Sequence, residues 1–183
     1  MDASERFYKV IWPHAPMVQR VAEMLCHGRA DADDLTQETM LKAFKSLDQF
    51  RDGTDAKHWL MAILRNARID RLRSKAARHE AMSLDDLPMD LPIGQTEPAA
   101  DSSVWSNPRA LLEALSDQQM IDAMLELPED IRWSLLLVDV EQLEQKDAAR
   151  IMDVPEGTVK SRLHRGRRML RDKLTPIVAG AKR

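Results

Sequence analysis

The fold of this chain is decided by the stretch DVPEGTVKSRLHRGRR at residues 153–168. Pro155 suits the first turn of a helix, because the N–H that proline lacks has no partner there in any case. Glu156 favours the positive end of the helix dipole. Apolar residues then recur on one face of a 3.6-residue period: Val159, Leu163, Leu170 and Leu174. Gly166 falls on the same face, where it would let a neighbouring helix approach closely. The stretch predicts a tight turn followed by a helix with one buried face.

The rest of that helix is strongly basic, with the single acid Asp172 among seven cations: Lys160, Arg162, Arg165, Arg167, Arg168, Arg171 and Lys173. Such a surface is also compatible with a solvated helix, a membrane-surface helix or a calmodulin target. A membrane-surface helix would need Trp or Phe and a wide apolar face, which are absent here. The stretch from Asp147 to Met152 predicts a short helix just before the turn. Together they predict a helix-turn-helix whose basic helix meets DNA phosphates and base edges.

Length and composition favour an all-α protein of two small domains. The chain has 183 residues, few aromatics and only six glycines, alongside abundant Leu, Ala, Met and Arg. We expect no signal peptide and no membrane-spanning segment. The single cysteine, Cys26, cannot form an internal disulfide, which favours a reducing cytoplasm. The histidines lack ligand spacing, so neither a metal site nor a cofactor is expected.

Charge divides the chain into three segments. Residues 1–79 carry 14 basic and 11 acidic residues, a net +3; residues 80–130 carry one basic and 12 acidic residues, a net −11; residues 131–183 carry 12 basic and 7 acidic residues, a net +5. The stretch 83–108 also holds four prolines, which disfavour helix, and its acids repel one another. We predict domains at 1–79 and 109–183, joined by an extended acidic linker at 80–108. The linker is either a plain solvated tether or an acidic segment that enters a positively charged channel of a partner.

Three helices are predicted in the first domain. The first spans residues 7–25 with an interruption near Pro13 and Pro16, the second begins at an acidic cap near Asp31, and the third runs from about 55 to 75. The second is expected to bury four apolar residues: Leu35, Met40, Leu41 and Phe44. The third is expected to bury six: Trp59, Leu60, Ile63, Leu64, Ile69 and Leu72. The acids of the second helix either compensate its dipole or form a docking surface for a basic partner helix.

Two long motifs, in order, resemble bacterial sigma factors. The run ADADDLTQET at residues 30–39 resembles region 2.2; LDQFR at 47–51, Trp59-Leu60 and RNARIDRLR at 65–73 resemble regions 2.3 and 2.4. Leu127-Pro128, the leucines 135–137 and PEGTVKSRLHR at 155–165 resemble region 4. With no domain between them, the chain is similar to the small extracytoplasmic-function group. The departures lie around the short helix: Ala148 replaces a larger aliphatic, Glu144 and Gln145 replace a Ser-Tyr pair, and Asp153 replaces a turn glycine.

The resemblance implies a cytoplasmic, bacterial subunit that joins core RNA polymerase, associates with the nucleoid in the holoenzyme and recognises −35 and −10 promoter elements while aiding strand opening. Its polymerase contacts would be the clamp helices of the largest subunit and the flap, with an anti-sigma factor as a further partner. The residues implied for polymerase docking are Asp33, Asp34, Gln37 and Glu38. Those implied for −10 DNA are Phe50, Arg65, Asn66, Arg68, Arg71 and Arg73. Those implied for −35 DNA are Lys160, Ser161, Arg162, His164, Arg165, Arg167 and Arg168, with Arg162, Arg167 and Arg168 expected on phosphates.

Two other function classes remain open. A helix-turn-helix regulator that is not a polymerase subunit would explain the basic C-terminal helix but not the second basic helix with Asn66 and Phe50. A metal-dependent enzyme using Asp33, Asp34 and Glu38 is disfavoured, because carboxylates at this spacing do not converge on one helix face and no histidine or phosphate loop accompanies them. We therefore expect no catalytic residues.

Overall fold

The computed structural model describes residues 2–51, 53, 55–80 and 117–181, and within those ranges the chain forms helices and turns without a strand. The all-α prediction is confirmed. We call residues 2–80 the first module and residues 117–181 the second module. The predicted acidic linker lies, apart from residue 80, outside the described residues.

The first module is a helical bundle. Its elements are α1 (Ala3–Arg6), a π-helical segment (Phe7–Ile11), a 3-10 turn (Trp12–His14), α2 (Ala15–Glu23), α3 (Arg29–Lys45), a second 3-10 turn (Leu47–Gln49) and α4 (Ala56–Glu80). The predicted interruption near the two prolines is present: Pro13 lies in the 3-10 turn and Pro16 lies in the first turn of α2, where no backbone donor is needed. Helix α3 follows Gly28, whose backbone is extended with a φ of −156°.

The core of the first module lies where α2, α3 and α4 meet, and it includes the fully buried Val18, Leu35 and Leu64. Three predicted core residues are exposed instead: Leu41, Phe44 and Leu72. Helix α4 also buries Met61 and Ala67, and it packs against α2, α3 and a helix of the second module. A helical period shows which residues share a face, but it does not show whether another element covers that face.

The second module is built around one long helix. Its elements are α5 (Asp117–Leu125), α6 (Glu129–Leu135), a π-helical segment (Leu136–Val140), α7 (Gln145–Met152) and α8 (Glu156–Ala181). The predicted buried stripe of α8 is confirmed at all four positions: Val159, Leu163, Leu170 and Leu174. The close approach at Gly166 is also confirmed, since a Cβ added there would lie 2.6 Å from Ile131 Cγ2 and 2.8 Å from Leu135 Cδ1.

The turn between α7 and α8 is the predicted helix-turn-helix corner. Asp153 has left-handed backbone angles, φ 54° and ψ 50°, at the position where a glycine is common. The N–H of Asp153 donates to the Arg150 carbonyl at 3.3 Å, and the N–H of Val154 donates to the Ala149 carbonyl at 3.1 Å. This pair of bonds is a Schellman motif, which satisfies the last carbonyls of α7 and directs the chain into α8. The small Ala148 is fully buried in the packing of α7 on α8.

Candidate DNA and polymerase interfaces

The outward face of α8 carries the residues predicted for −35 DNA. Five of them are exposed: Lys160, Ser161, His164, Arg165 and Arg168. The Ser161 hydroxyl donates to the Thr158 carbonyl at 2.9 Å, so its remaining capacity toward a ligand is as an acceptor. This face combines cations, a hydroxyl and an imidazole, the groups that contact phosphates and base edges in a major groove.

Two other predicted −35 residues are held by acids of their own module. Arg162 Nε lies 3.0 Å from Asp130 Oδ2. Arg167 makes a two-pronged pair with Asp139, with Nη2–Oδ1 at 2.6 Å and Nε–Oδ2 at 3.0 Å. This pairing raises the pKa of Arg167 despite the opposing effect of burial. Both arginines flank the exposed face and are therefore better placed toward its edges than toward its centre.

On α4, the residues predicted for −10 DNA fall into two groups. Asn66 and Arg73 are exposed on the helix surface. Arg68 is buried, only 9% exposed, and its Nε and Nη2 donate to Glu129 of the second module at 3.1 and 3.2 Å. Arg71 Nε donates to Glu38 at 2.7 Å, which ties a predicted DNA residue to a predicted docking residue.

Arg65 lies at the contact between the two modules. It is half-buried, and burial lowers the pKa of its guanidinium. The nearby Asp153 opposes that effect, whereas Arg162 adds to it. Both neighbours belong to the helix-turn-helix, so the predicted −10 and −35 surfaces adjoin one another in this structure.

Phe50, which resembles a residue that packs or reads a flipped base, belongs here to the core. It is 4% exposed, and its ring centroid lies 5.0 Å from that of Trp59. The Arg6 guanidinium carbon lies 5.7 Å from the Phe50 ring centre, and Arg6 Nη2 donates to the Phe50 carbonyl at 2.7 Å. In this conformation Phe50 supports the loop after α3 and does not present its ring to solvent.

The predicted docking residues lie on α3. Asp34 and Gln37 are exposed, whereas Asp33 accepts a hydrogen bond from Gln19 at 2.7 Å. Glu38 is half-buried between Arg71 and Lys42, and its Oε1 lies 3.0 Å from Lys42 Nζ. Burial acts to raise the pKa of Glu38, but hydrogen bonds from these two cations outweigh it and hold that pKa below its usual range. Glu38 is therefore ionised at neutral pH.

Sequence reasoning missed an apolar patch at the end of the same helix. Leu41 is 53% exposed and Phe44 41% exposed, and two aromatic residues of the N-terminal segment, Tyr8 and Trp12, are exposed beside them. Phe44 packs edge-on against Phe7 with ring centres 5.2 Å apart, and Tyr8 and Trp12 pack at 5.7 Å. We call Tyr8, Trp12, Leu41 and Phe44 the aromatic patch. The helical spacing of Leu41 and Phe44 predicts a core face, because an exposed apolar face has the same period and hydrophobicity as a buried one.

Comparison with known proteins identifies the two modules separately. A model of sigma-70 region 2 matches residues 11–78, and a model of sigma-70 region 4 matches residues 117–170. The chain is 33% identical over 168 residues to the ECF RNA polymerase sigma factor SigE of Mycolicibacterium smegmatis. It is 30% identical over 149 residues to the ECF RNA polymerase sigma-E factor of Escherichia coli. The chain belongs to the ECF sigma factors. Those two alignments cover 91% and 81% of this sigma factor and 60% and 76% of the respective relatives.

Two solved structures resemble this sigma factor over both modules. One is the Bartonella quintana sigma factor RpoE in complex with the anti-sigma factor NepR, with a TM-score of 0.71, 27% identity, and coverage of 93% of this chain and 98% of that one. The other is CnrH in complex with the cytosolic domain of CnrY, with a TM-score of 0.62, 19% identity, and coverage of 94% and 90%; its likeness shows the fold. No helix in the described ranges is long and apolar enough to cross a membrane.

Proposed function

We propose that this sigma factor binds core RNA polymerase and directs it to promoters, with the second module on the −35 element and the first module on the −10 element. The observation that carries the proposal is the corner at Asp153, from which α8 presents five exposed polar and cationic residues away from its core. A regulator that is not a polymerase subunit is not favoured, since sigma-70 region 2 is matched as well as region 4. We propose no catalysis by the chain itself and a cytoplasmic site of action, at the nucleoid when in the holoenzyme.

Polymerase docking is proposed for the exposed surface of α3. Asp34 and Gln37 offer polar contacts to a basic helix such as a clamp helix, and Asp33 and Glu38 flank them. The aromatic patch extends this surface with apolar area, and desolvated aromatic side chains contribute strongly to protein interfaces. The proposed docking surface is thus acidic at its centre and apolar at one end.

Promoter contacts are proposed for α4 and α8. Asn66 and Arg73 are exposed and would contact the displaced −10 strand. Arg65, Arg68 and Arg71 would contact the same strand once they are released from their present partners. Phe50 would contribute to strand opening only after leaving its core position. On α8 we assign base contacts to Lys160, Ser161, His164 and Arg165, and phosphate contacts to Arg162, Arg167 and Arg168.

Transcription with sigma-free core polymerase on a genomic promoter library, with and without the protein, tests the proposal. Added protein should yield transcripts that share an upstream and a downstream element. Asp34→Lys should abolish both transcription and co-purification with polymerase, whereas Arg165→Ala should keep polymerase binding and lose −35 selectivity. Glu144→Gln, a change at an exposed residue outside the proposed surfaces, should behave as wild type. A protein that binds promoter DNA but neither binds nor redirects polymerase would refute the proposal.

An anti-sigma partner is also proposed. The Bartonella quintana sigma factor RpoE, which this sigma factor resembles over both modules, is bound to the anti-sigma factor NepR in its solved structure. The aromatic patch and the α3 acids are accessible to such a partner. Affinity capture from native cells, with a variant carrying Trp12→Ser and Phe44→Ser as the matched control, tests this: the partner should be retained by the wild type and lost from the variant.

A further inference from the structure

The segment that follows α3 is anchored by a 3-10 turn. In such a turn residues three positions apart lie on the same side, because three residues complete each turn. Leu47 opens the turn and Phe50 follows it, and both are buried, 5% and 4% exposed. The exposed residues of the segment are Asp48, Gln49 and Arg51. This segment, which we call the 47–51 loop, therefore keeps its apolar side chains in the core and leaves its polar side chains at the surface.

One side chain of the N-terminal helix holds both ends of that turn. Arg6, the last residue of α1, donates from Nη1 to the Leu47 carbonyl at 3.2 Å and from Nη2 to the Phe50 carbonyl at 2.7 Å. Its guanidinium carbon lies 5.7 Å from the centre of the Phe50 ring, within the range of a cation–π contact. The rigid fork of arginine suits two acceptors at a fixed spacing, which the point charge of a lysine ammonium matches less well.

The site of these carbonyls favours a cation. Carbonyls at the end of a helical turn carry partial negative charge and lack donors within the turn. Arg6 is half-buried, so water weakens its hydrogen bonds less than it would at a fully exposed residue. The Phe50 ring also packs on Trp59 of α4, with ring centres 5.0 Å apart. The 47–51 loop is therefore held by α1 through polar contacts and by α4 through an aromatic contact.

We infer that Arg6 is a positioning residue for −10 recognition, because it fixes the 47–51 loop in the one arrangement in which its exposed side chains meet DNA. Arg6 acts through the backbone carbonyls of Leu47 and Phe50 and not through a DNA contact of its own. A side chain discriminates between bases only when its position is held, since base contacts depend on exact geometry. The −10 part of the inference rests on the proposed function, whereas the hold of Arg6 on the loop does not.

Hydrogen exchange tests this hold on the full chain without DNA. The N–H of Phe50 donates to the Leu47 carbonyl at 3.2 Å, so its exchange rate reports local opening of the loop. We expect Arg6→Ala to raise that rate about tenfold, the scale of hydrogen bonds lost from a charged group. The matched control is Lys9→Ala, which removes one positive charge from an exposed residue of the same N-terminal segment and should exchange as the wild type does. An unchanged rate in Arg6→Ala would overturn the inference.

Promoter selectivity of the holoenzyme separates positioning from stabilisation of the fold. We would compare initiation on a promoter that the wild type recognises with initiation on promoters carrying one substitution in the −10 or the −35 element. A smaller amount of folded protein lowers all of these rates alike and cancels in their ratio. We expect Arg6→Ala to lower discrimination within the −10 element about tenfold, the scale of one well-placed base contact, and to leave −35 discrimination unchanged. Arg6→Lys, which keeps the cation, should recover part of the −10 discrimination, and Lys9→Ala should retain all of it.

Two selectivity results would overturn the positioning role even if exchange is faster in Arg6→Ala. One is unchanged −10 discrimination, and the other is an equal loss of discrimination at the −10 and −35 elements. Normal transcription by the wild type leaves the proposed function standing in both cases. If the wild type directs no transcription, the proposed function fails and the −10 part of the inference fails with it, while the exchange rate still decides whether Arg6 holds the loop.

Discussion

Gly166 gives the sharpest test of how α8 is held against α6. An alanine Cβ at this position would lie 2.6 Å from Ile131 Cγ2, 2.8 Å from Leu135 Cδ1 and 3.1 Å from Leu135 Cγ. Carbon atoms pack at about 3.5–4.0 Å, so the first contact overlaps by about 1 Å. Both neighbouring side chains are themselves buried, which leaves them little room to rotate away.

Two opposing contributions determine how Gly166→Ala changes the free energy of unfolding. Alanine is favoured over glycine within a helix by roughly 0.5–1 kcal/mol. Forcing an extra methyl group into a packed core typically costs about 1–3 kcal/mol. The contact with Leu135 Cγ, close to the backbone, limits relief by rotation and places the cost in the upper part of that range. We expect a net loss of about 1–2 kcal/mol in the free energy of unfolding.

Gly157 supplies the matched control, because it lies in the same helix and a Cβ added there meets no atom within 4 Å. Gly157→Ala should leave stability unchanged or raise it by up to about 1 kcal/mol. Urea unfolding followed by far-ultraviolet circular dichroism would measure both variants. If both substitutions stabilise the protein equally, the close approach of α8 to α6 does not constrain the second module and the reasoning is wrong.

Three further predictions concern the turn, the docking surface and the recognition helix. Asp153→Val should lower the free energy of unfolding by about 1–2 kcal/mol because a β-branched residue disfavours left-handed backbone angles, while Asp153→Gly should remain close to wild type in the same urea assay. The pKa of Glu38 is depressed, so the ionised carboxylate should make the wild type more stable to unfolding than Glu38→Gln. This difference in the free energy of unfolding should be fully present above pH 4.5, the ordinary pKa of the carboxyl group, and should vanish as the pH falls through the folded-state pKa. An equal difference at pH 7 and at pH 3 would contradict this. We would measure the binding of holoenzyme to promoters with substituted −35 elements. Arg165→Ala should cost about 1–3 kcal/mol of binding free energy and relax selectivity at one base position, whereas Arg168→Ala should weaken binding to all sequences alike and reduce the salt dependence of binding by about one unit of slope. Indistinguishable effects of the two variants would contradict the assignment of base and phosphate contacts.

The second module could be predicted closely because its signals are local. The apolar period of α8 placed four residues on one face, and all four are buried. Pro155 and Glu156 predicted the start of α8, and Asp153 adopts the backbone conformation that its short polar side chain tolerates. Period, cap and turn each depend on residues a few positions apart, which a single sequence displays directly.

The surfaces of the first module could not be predicted in the same way. The apolar spacing of Leu41 and Phe44 is that of a core face, but no element of the described ranges covers them fully. Met61 and Ala67 of α4 are buried, and α4 is packed by α7 as well as by α2 and α3. The residues that join the modules are separated by 61 positions for Arg68 and Glu129 and by 121 for Arg20 and Glu141. Pairing over such separations depends on how helices are arranged in space, and no local period reports that arrangement.

The divided reading surface determines the order of events that the proposed function requires. Each module offers only a small cationic surface to DNA, and a reader with two weak halves gains affinity when something fixes the distance between them. In the structure Arg68 of the first module is held by Glu129 of the second. A polymerase that binds α3 on the first module and holds the second module at a fixed distance would set this spacing. With the proposed function, docking on polymerase then precedes promoter reading.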